Sequence, residues 1–264
     1  MGFRDWANQV FCGAFRMIGL DVSIRGRKKA TVVPFDAYRQ GEAVSRFVWL
    51  KEHLGFEPRV VVDVGASDGR WARPAMKLFP AARFLLVEPL QEHLPALQKL
   101  VAEQPRACFF STLLGTETGT VRFMKHGHKS SIFGNSKGES FGEPVELPVR
   151  RLDDVIKELG LPAPEMLKLD VEGSELLVLG GAPKALESIQ VVQMEISLIP
   201  FQKGIPLFDE LVTAMAQKGF RVFDVFGIHG RPLDGMPVQG ECVFIRKDTP
   251  LIRDYRWGDN LTWS

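Results

Sequence analysis

The sequence contains little cysteine, and its charges of opposite sign almost cancel. Its three cysteines, Cys12, Cys108 and Cys242, are far apart and show no CxxC spacing. This argues against a disulfide framework and against a structural zinc site, so a reducing, cytoplasmic compartment is the simplest expectation. The formal net charge is +1, so no overall field favours nucleic acid or an anionic membrane as a partner.

Long apolar runs are also missing. The most apolar N-terminal stretch, 6–22, is interrupted by Arg16 and contains Asp21. It is too short and too polar to span a bilayer, and it lacks the apolar core and small-residue cleavage site of a signal peptide. We interpret residues 1–57 as a helical extension that packs on the main domain and is a candidate substrate lid. The alternative is an interfacial helix, helped by the basic run at 25–29, that makes weak peripheral contact with a membrane.

From about residue 58 the sequence alternates short apolar, β-branched runs with helical patterns. The runs predict strands at 59–65, 82–89, 106–114, 165–173, 189–197, 220–228 and 241–247, and helices at 71–79, 91–103, 174–187 and 207–218. Uninterrupted apolar runs separated by helices are typical of a parallel sheet covered on both faces. We therefore predict a Rossmann-like, doubly wound α/β domain over 58–264. It has a seven-stranded, mostly parallel sheet, an antiparallel last strand and an insertion at about 115–150. Ligands bind at the carboxyl ends of the strands in such folds.

A glycine-containing turn, DVGASDGR at 63–70, joins the first predicted strand to the first helix of this domain. The dinucleotide fingerprint G-x-G-x-x-G fails here, because Ser67 and Arg70 stand where its second and third glycines belong. The spacing of Asp63, Gly65 and Gly69 instead fits the acidic-x-G-x-x-x-G turn of class I methyltransferases, which use S-adenosylmethionine. A structural turn without a ligand is the alternative.

An acidic residue, Glu88, ends the second predicted strand 25 residues after Asp63. A carboxylate there can accept hydrogen bonds from both ribose hydroxyls of the cofactor, although a solvated strand end is the alternative. Asp63 either binds the amino group of the cofactor, directly or through water, or holds the loop in place. The expected cofactor-binding residues are Asp63, Gly65, Ala66, Ser67, Gly69, Glu88, Ser111 and Asp170.

A second group of charged residues follows at DVEGSE, 170–175. Lys168 and Asp170 are two apart on a strand, so their side chains share one face, and a buried charged pair is seldom kept for stability. We predict that Asp170 is the general base for an acceptor hydroxyl, or orients it, with Glu172 and Glu195 in support. Alternatively, these three carboxylates bind Mg²⁺ or Ca²⁺.

Several loop residues are candidates for substrate contact. They are His126, His128, Ser130, Ser131 and His229. A histidine among them could compete for the role of base, but an exposed loop position is the alternative for each histidine.

The segment MLKLDVEGSELLVLGGA at 166–182 resembles the FkbM family of methyltransferases. Weaker matches are DVGASDG, the VEP strand end, VRRLDDV, QMEIS and ECVFI, so the resemblance covers about 58–247. The family usually has Asn where Ser67 stands. The resemblance implies O-methylation of sugar or polyketide hydroxyls, and we expect an S-adenosylmethionine-dependent O-methyltransferase acting on a sugar, glycan or secondary metabolite.

Three other functions are alternatives to this one. N-methylation of a nucleobase is disfavoured, because LDVEG stands where an Asn/Asp-Pro-Pro-Tyr motif would be expected, but N-methylation of a small molecule stays open. An NAD-linked oxidoreductase is disfavoured by the glycine spacing and by the lack of a Tyr-x-x-x-Lys pair, since Tyr38 and Tyr255 are the only tyrosines. A non-catalytic, adenosyl-binding scaffold stays open.

Overall fold

The fold is described by a computed structural model that covers residues 44–125, 130–133 and 142–254. The predictions for residues 1–43, His126 and His128 therefore lie outside the described residues. No helix among the described residues is long and apolar enough to cross a membrane.

The elements alternate between strands and helices along most of the chain. The helices are α1 (Ser45–Leu54), α2 (Ala72–Leu78), α3 (Leu94–Glu103), α4 (Leu152–Glu158), α5 (Glu175–Gly180), α6 (Ala185–Ser188) and α7 (Phe208–Gln217). The strands are β1 (Val60–Val64), β2 (Arg83–Val87), β3 (Ala107–Phe110), β4 (Leu113–Leu114), β5 (Gly119–Lys125), β6 (Glu143–Arg150), β7 (Met166–Leu169), β8 (Val191–Ser197), β9 (Phe220–Gly230) and β10 (Pro237–Arg246).

The main sheet has seven strands in the order β3-β2-β1-β7-β8-β10-β9. The first five run parallel, and β10 is antiparallel to both β8 and β9. Every residue of β1 and of β7 is buried, as expected for parallel strands covered on both faces. The predicted Rossmann-like α/β fold, with an antiparallel last strand, is confirmed.

Two hydrophobic clusters cover the two faces of this sheet. Because side chains alternate along a strand, Val62 and Val64 of β1 lie in one cluster and Val61 in the other. Helix α1 contributes the fully buried Phe47 and Leu50 to the second cluster. The part of the predicted N-terminal extension that the structure describes as α1 therefore packs into the core.

The single strand predicted at 106–114 is wrong, because the structure has two strands there in different sheets. β3 is the edge of the main sheet, whereas β4 belongs to a three-stranded sheet of order β4-β6-β5. Thr112, between them, is buried and donates a hydrogen bond to the Pro148 carbonyl at 2.9 Å. This contact directs the chain from β3 towards β6, and the small sheet lies where the insertion was predicted.

The single helix predicted at 174–187 is also wrong, because α5 ends at Gly180 and α6 begins at Ala185. A Cβ atom at Gly181 would lie 2.0 Å from the carbonyl oxygen of Gly115, so only glycine permits this close approach to the small sheet. Pro183 follows, and proline disrupts the interior of a helix. At the break, the chain after α5 thus packs against the loop that follows β4.

Candidate active site

A cavity of about 1400 Å³ opens at the carboxyl ends of the central parallel strands. Its lining includes Gly65 after β1, Glu88 after β2, Asp170 after β7 and Glu195 near the end of β8. These four positions come from four neighbouring elements, and their side chains meet because parallel strands end at one edge of the sheet. The cavity lies where the fold predicts a ligand site.

The turn after β1 requires glycine at two positions. Gly65 and Gly69 have φ angles of 74° and 82°, in the left-handed region that glycine adopts without strain. A Cβ atom at Gly65 would lie 1.9 Å from the carbonyl oxygen of Asp170, and one at Gly69 would lie 2.7 Å from a methyl carbon of Leu100. The turn therefore packs directly on the chain that follows β7.

Glu88 is held in place by the backbone of two loops. One of its carboxylate oxygens accepts a hydrogen bond from the Ser67 amide at 2.8 Å, and the other accepts one from the Leu90 amide at 2.9 Å. The side chain is 5% exposed, and burial raises the pKa of Glu88 although both hydrogen bonds oppose the shift. Each carboxylate oxygen keeps a free lone pair, because an ionised carboxylate can accept about four hydrogen bonds.

Lys168 joins the cofactor turn to the carboxylate after β7. Its ammonium lies 3.2 Å from Asp63 and 3.3 Å from Asp170, and it donates a hydrogen bond to the Gly65 carbonyl at 3.1 Å. Burial lowers the pKa of Lys168, but the charges of Asp63 and Asp170 outweigh this and raise it overall. Asp63 is fully buried and is not among the described cavity-lining residues, so its contact with Lys168 fits the loop-holding alternative.

The three predicted catalytic carboxylates lie close together. One carboxylate oxygen each from Asp170, Glu172 and Glu195 can be chosen so that all three lie within 4.8 Å of one another. Burial, and then the negative charges of Glu172 and Asp170, raise the pKa of Glu195 to about 10. Glu195 is therefore protonated at neutral pH while no cation is bound, and its hydroxyl can donate a hydrogen bond into the cavity.

A polar chain that the sequence analysis missed also lines the cavity. The Trp71 indole N–H donates to the Gln193 side-chain oxygen at 3.0 Å, and the Gln193 amide donates to Glu241 at 2.9 Å. Glu241 stands opposite Glu195 in the antiparallel β8–β10 pair, and burial raises the pKa of Glu241 to about 7. The sequence signal for Glu241 was an acidic residue at the start of the apolar run of the last strand. Its proximity to Glu195 could not be predicted, because it depends on the pairing of β8 with β10.

The other predicted site residues fall into two groups. Those that line the cavity, besides the ones above, are Ala66, Ser67 and Ser130. Those absent from the described lining are Asp63, Gly69, Ser111, Ser131 and His229. Ser131 is buried and donates a hydrogen bond to the Glu172 carbonyl at 2.8 Å, so it supports the turn after β7. The loop position predicted for His229 is wrong, because β9 extends to Gly230 and pairs His229 with Gln239 of β10; its side chain is exposed.

The residues at the turn fit an adenosyl group. The Ser67 side-chain oxygen is buried beside the cavity and has no hydrogen-bond partner within the described chain, which is costly unless a ligand or water satisfies it. Glu88 adds two oriented acceptor oxygens on the same side. Ser67 stands where the FkbM pattern has Asn, so a hydroxyl replaces an amide at this point.

Comparison with known proteins gives one curated relative and several distant structures. The 2-O-methyltransferase NoeI of Sinorhizobium fredii (strain NBRC 101917 / NGR234) is 25% identical over 157 residues, which are 52% of this chain and 63% of that protein. The match thus spans less than two thirds of the relative.

Two solved structures also resemble this chain, at low sequence identity. Magnesium protoporphyrin IX methyltransferase from Synechocystis PCC 6803 with bound SAM has a TM-score of 0.44 at 10% identity, over 92% of this chain and 94% of that one. The fibrillarin pre-rRNA processing protein of Methanococcus jannaschii has a TM-score of 0.45 at 12% identity, over 72% of this chain and 66% of that one.

The family model for the methyltransferase FkbM domain matches residues 63–222, which are more than half of the chain. The matched segment begins at the turn after β1 and includes Glu88, the DVEGSE segment and Glu195. The chain belongs to the FkbM family of S-adenosylmethionine-dependent methyltransferases.

Proposed function

We propose that this enzyme transfers a methyl group to a hydroxyl of a sugar, a glycan or a secondary metabolite. The observation that carries the proposal is the placement of Asp170. Its side chain is 43% exposed and lines the cavity, while Lys168 holds it beside the cofactor turn. A carboxylate placed there is suited to accept a proton from an acceptor hydroxyl.

The turn after β1 would hold the adenosyl part of S-adenosylmethionine. In this proposal Glu88 accepts hydrogen bonds from the ribose hydroxyls, and Ser67 and the backbone of Gly65 and Ala66 face the cofactor. Asp63 acts indirectly, by holding Lys168. When bound, the cofactor supplies an electrophilic methyl group on a sulfonium centre.

The carboxylates after β7 and on β8 prepare the acceptor. Asp170 takes the proton of the hydroxyl, which makes that oxygen a competent nucleophile. The ion pair with Lys168, at 3.3 Å, holds the Asp170 carboxylate in position. Glu195, protonated because its pKa is raised to about 10, donates a hydrogen bond to the acceptor, and Glu172 orients a neighbouring hydroxyl. Positioning supplies most of the catalysis in such a reaction.

One curated relative supports a hydroxyl acceptor. NoeI is described as a 2-O-methyltransferase, which agrees with a hydroxyl acceptor. The match covers 63% of that protein.

The experiment compares Asp170→Asn with wild type in two assays. Calorimetry with S-adenosylhomocysteine measures cofactor affinity, and transfer of a labelled methyl group to sugar and amine acceptors measures activity. We expect Asp170→Asn to keep its affinity and to lose about 10²–10⁴-fold in rate, the usual contribution of a general base. Asp209→Asn, an exposed carboxylate on α7, is the matched control and should be fully active.

The same assays separate the alternatives. Full activity of Asp170→Asn would reject the assignment of the base, and turnover of amines alone would reject the hydroxyl acceptor. Binding without turnover on any acceptor would support a scaffold. If chelation abolishes activity and Mg²⁺ or Ca²⁺ restores it, Asp170, Glu172 and Glu195 act by binding a metal ion, which is the alternative given in the sequence analysis.

A further inference from the structure

The cavity is larger than the cofactor requires. Its volume of about 1400 Å³ exceeds the roughly 300–1,000 Å³ typical of a pocket for one small ligand. The part beyond the turn extends along α2, where Pro74 and Leu78 line it together with Val44 and Val48 from the α1 region. The acceptor therefore has a wall of its own, separate from the strand ends.

Three basic side chains lie in a row on that wall. Arg70, Arg73 and Lys77 all line the cavity. Arg73 and Lys77 are four residues apart in α2 and so lie on one face of that helix, and Arg70 lies in the turn just before it. Arg73 and Lys77 are separated by about 6 Å along the axis at 1.5 Å per residue. Within the described lining they are the only lysines or arginines apart from the buried Lys168.

Two of these three basic side chains have an acidic partner, and both pairs are exposed to water. Arg70 bonds Asp68, two residues away, at 3.1 Å, and both side chains are largely exposed to water. Arg73 has Glu103 at 3.9 Å, near the limit for an ion pair. Lys77 is exposed and has no acidic partner within the part of the chain that the structure describes. Such exposed pairs are weak and exchange readily with a ligand.

The charged side chains of the cavity are consequently divided between two regions, acidic at the strand ends and basic along α2. Four carboxyl groups meet at the strand ends, from Asp170, Glu172, Glu195 and Glu241. The lysine among them, Lys168, is already paired with Asp63 and Asp170, whereas the α2 wall presents Arg73 and Lys77 to the cavity. These charges orient an acceptor that has one anionic end and one neutral end. Arg70 lies close enough to Asp170 to feel its charge, so the basic row begins at the reaction site and leads away from it.

We propose that Arg70, Arg73 and Lys77 form a subsite for an anionic group on the acceptor saccharide, either a phosphate ester or a carboxylate. The inference rests on the proposed function, because it takes the hydroxyl to be methylated as the end that faces Asp170. Arginine and lysine are the side chains that best recognise phosphate and carboxylate groups.

The test measures binding of three probes to the enzyme loaded with S-adenosylhomocysteine: glucose 1-phosphate, glucuronate and glucose. Calorimetry should show the anionic probes binding at least about tenfold more tightly than glucose, which is the effect of one charge-assisted hydrogen bond. A preference for both anionic probes indicates a general anion subsite, and a preference for glucose 1-phosphate alone indicates a phosphate subsite.

The variant Arg73→Ala/Lys77→Ala should lose this preference and keep its affinity for S-adenosylhomocysteine. Lys99→Ala/Lys157→Ala removes the same charge from exposed positions on α3 and α4 and should behave like wild type. The inference is overturned if neither anionic probe binds more tightly than glucose, or if the preference survives in Arg73→Ala/Lys77→Ala. A wild-type enzyme that fails to bind S-adenosylhomocysteine would instead overturn the proposed cofactor site.

Discussion

Replacing Lys168 by methionine tests the buried ion pair that connects the cofactor turn to the reactive carboxylate. Methionine has a similar length and no charge, so the variant leaves Asp63 fully buried without the only ion-pair partner it has within the described chain. Removing one partner of a buried pair typically costs about 3–5 kcal/mol, since the remaining charge is left uncompensated. We expect a loss of this size for Lys168→Met.

Urea denaturation followed by circular dichroism measures this loss, and a thermal melt gives a second reading. For a protein of this size each kcal/mol lowers the melting temperature by roughly 2–4 °C, so a fall of roughly 6–20 °C is expected. Lys99→Met, at an exposed position on α3, should change the stability by less than about 0.5 kcal/mol.

The double variant Asp63→Asn/Lys168→Met removes both charges and should regain much of the stability, because no ion is left unpaired. A loss of less than about 1 kcal/mol in Lys168→Met, well below the usual cost of breaking a buried pair, would refute the reasoning. An unchanged loss in the double variant would refute it as well.

Three further changes follow from the same geometry. Gly65→Ala places a Cβ atom 1.9 Å from the Asp170 carbonyl oxygen at a φ of 74°, so we expect loss of S-adenosylhomocysteine binding by calorimetry; normal affinity would contradict the described turn. Glu88→Gln replaces one acceptor oxygen with an NH₂ group and should weaken that binding about tenfold, whereas an unchanged affinity would remove Glu88 from the cofactor site. Burial raises the pKa of Glu175 from 4.5 to about 7, so its contribution to stability is complete below about pH 4.5 and is lost as the pH rises through about 7. Glu175→Gln cannot ionise, so its urea midpoint relative to wild type should rise between pH 5 and pH 8; a constant difference would show that Glu175 does not titrate in this range.

The parts of the fold that depend on short stretches of sequence were predictable. Pro95 fits only in the first turn of a helix, and it lies there in α3. Strand alternation predicts that the side chains of Lys168 and Asp170 share one face. In the structure these two side chains form an ion pair.

The errors arose where a distant contact decides the local structure. The break between β3 and β4 depends on Thr112 meeting Pro148, 36 residues away. The break between α5 and α6 depends on the approach of Gly181 to Gly115. The hydrophobic pattern of a short segment cannot predict either break, because the residue that makes the contact lies far away in the sequence.

The sequence by itself determined the alternation of strands and helices in the main sheet, the glycine turn after β1 and the acidic positions that follow the strands, because apolar periodicity and backbone freedom are local properties. Only the tertiary structure decided which charges meet. Asp63 and Lys168 are 105 positions apart in the printed sequence and form an ion pair, and Glu241 faces Glu195 through the β8–β10 pairing. The side chains around the cavity come from separate strands, so their distances and burial exist only once the sheet has formed.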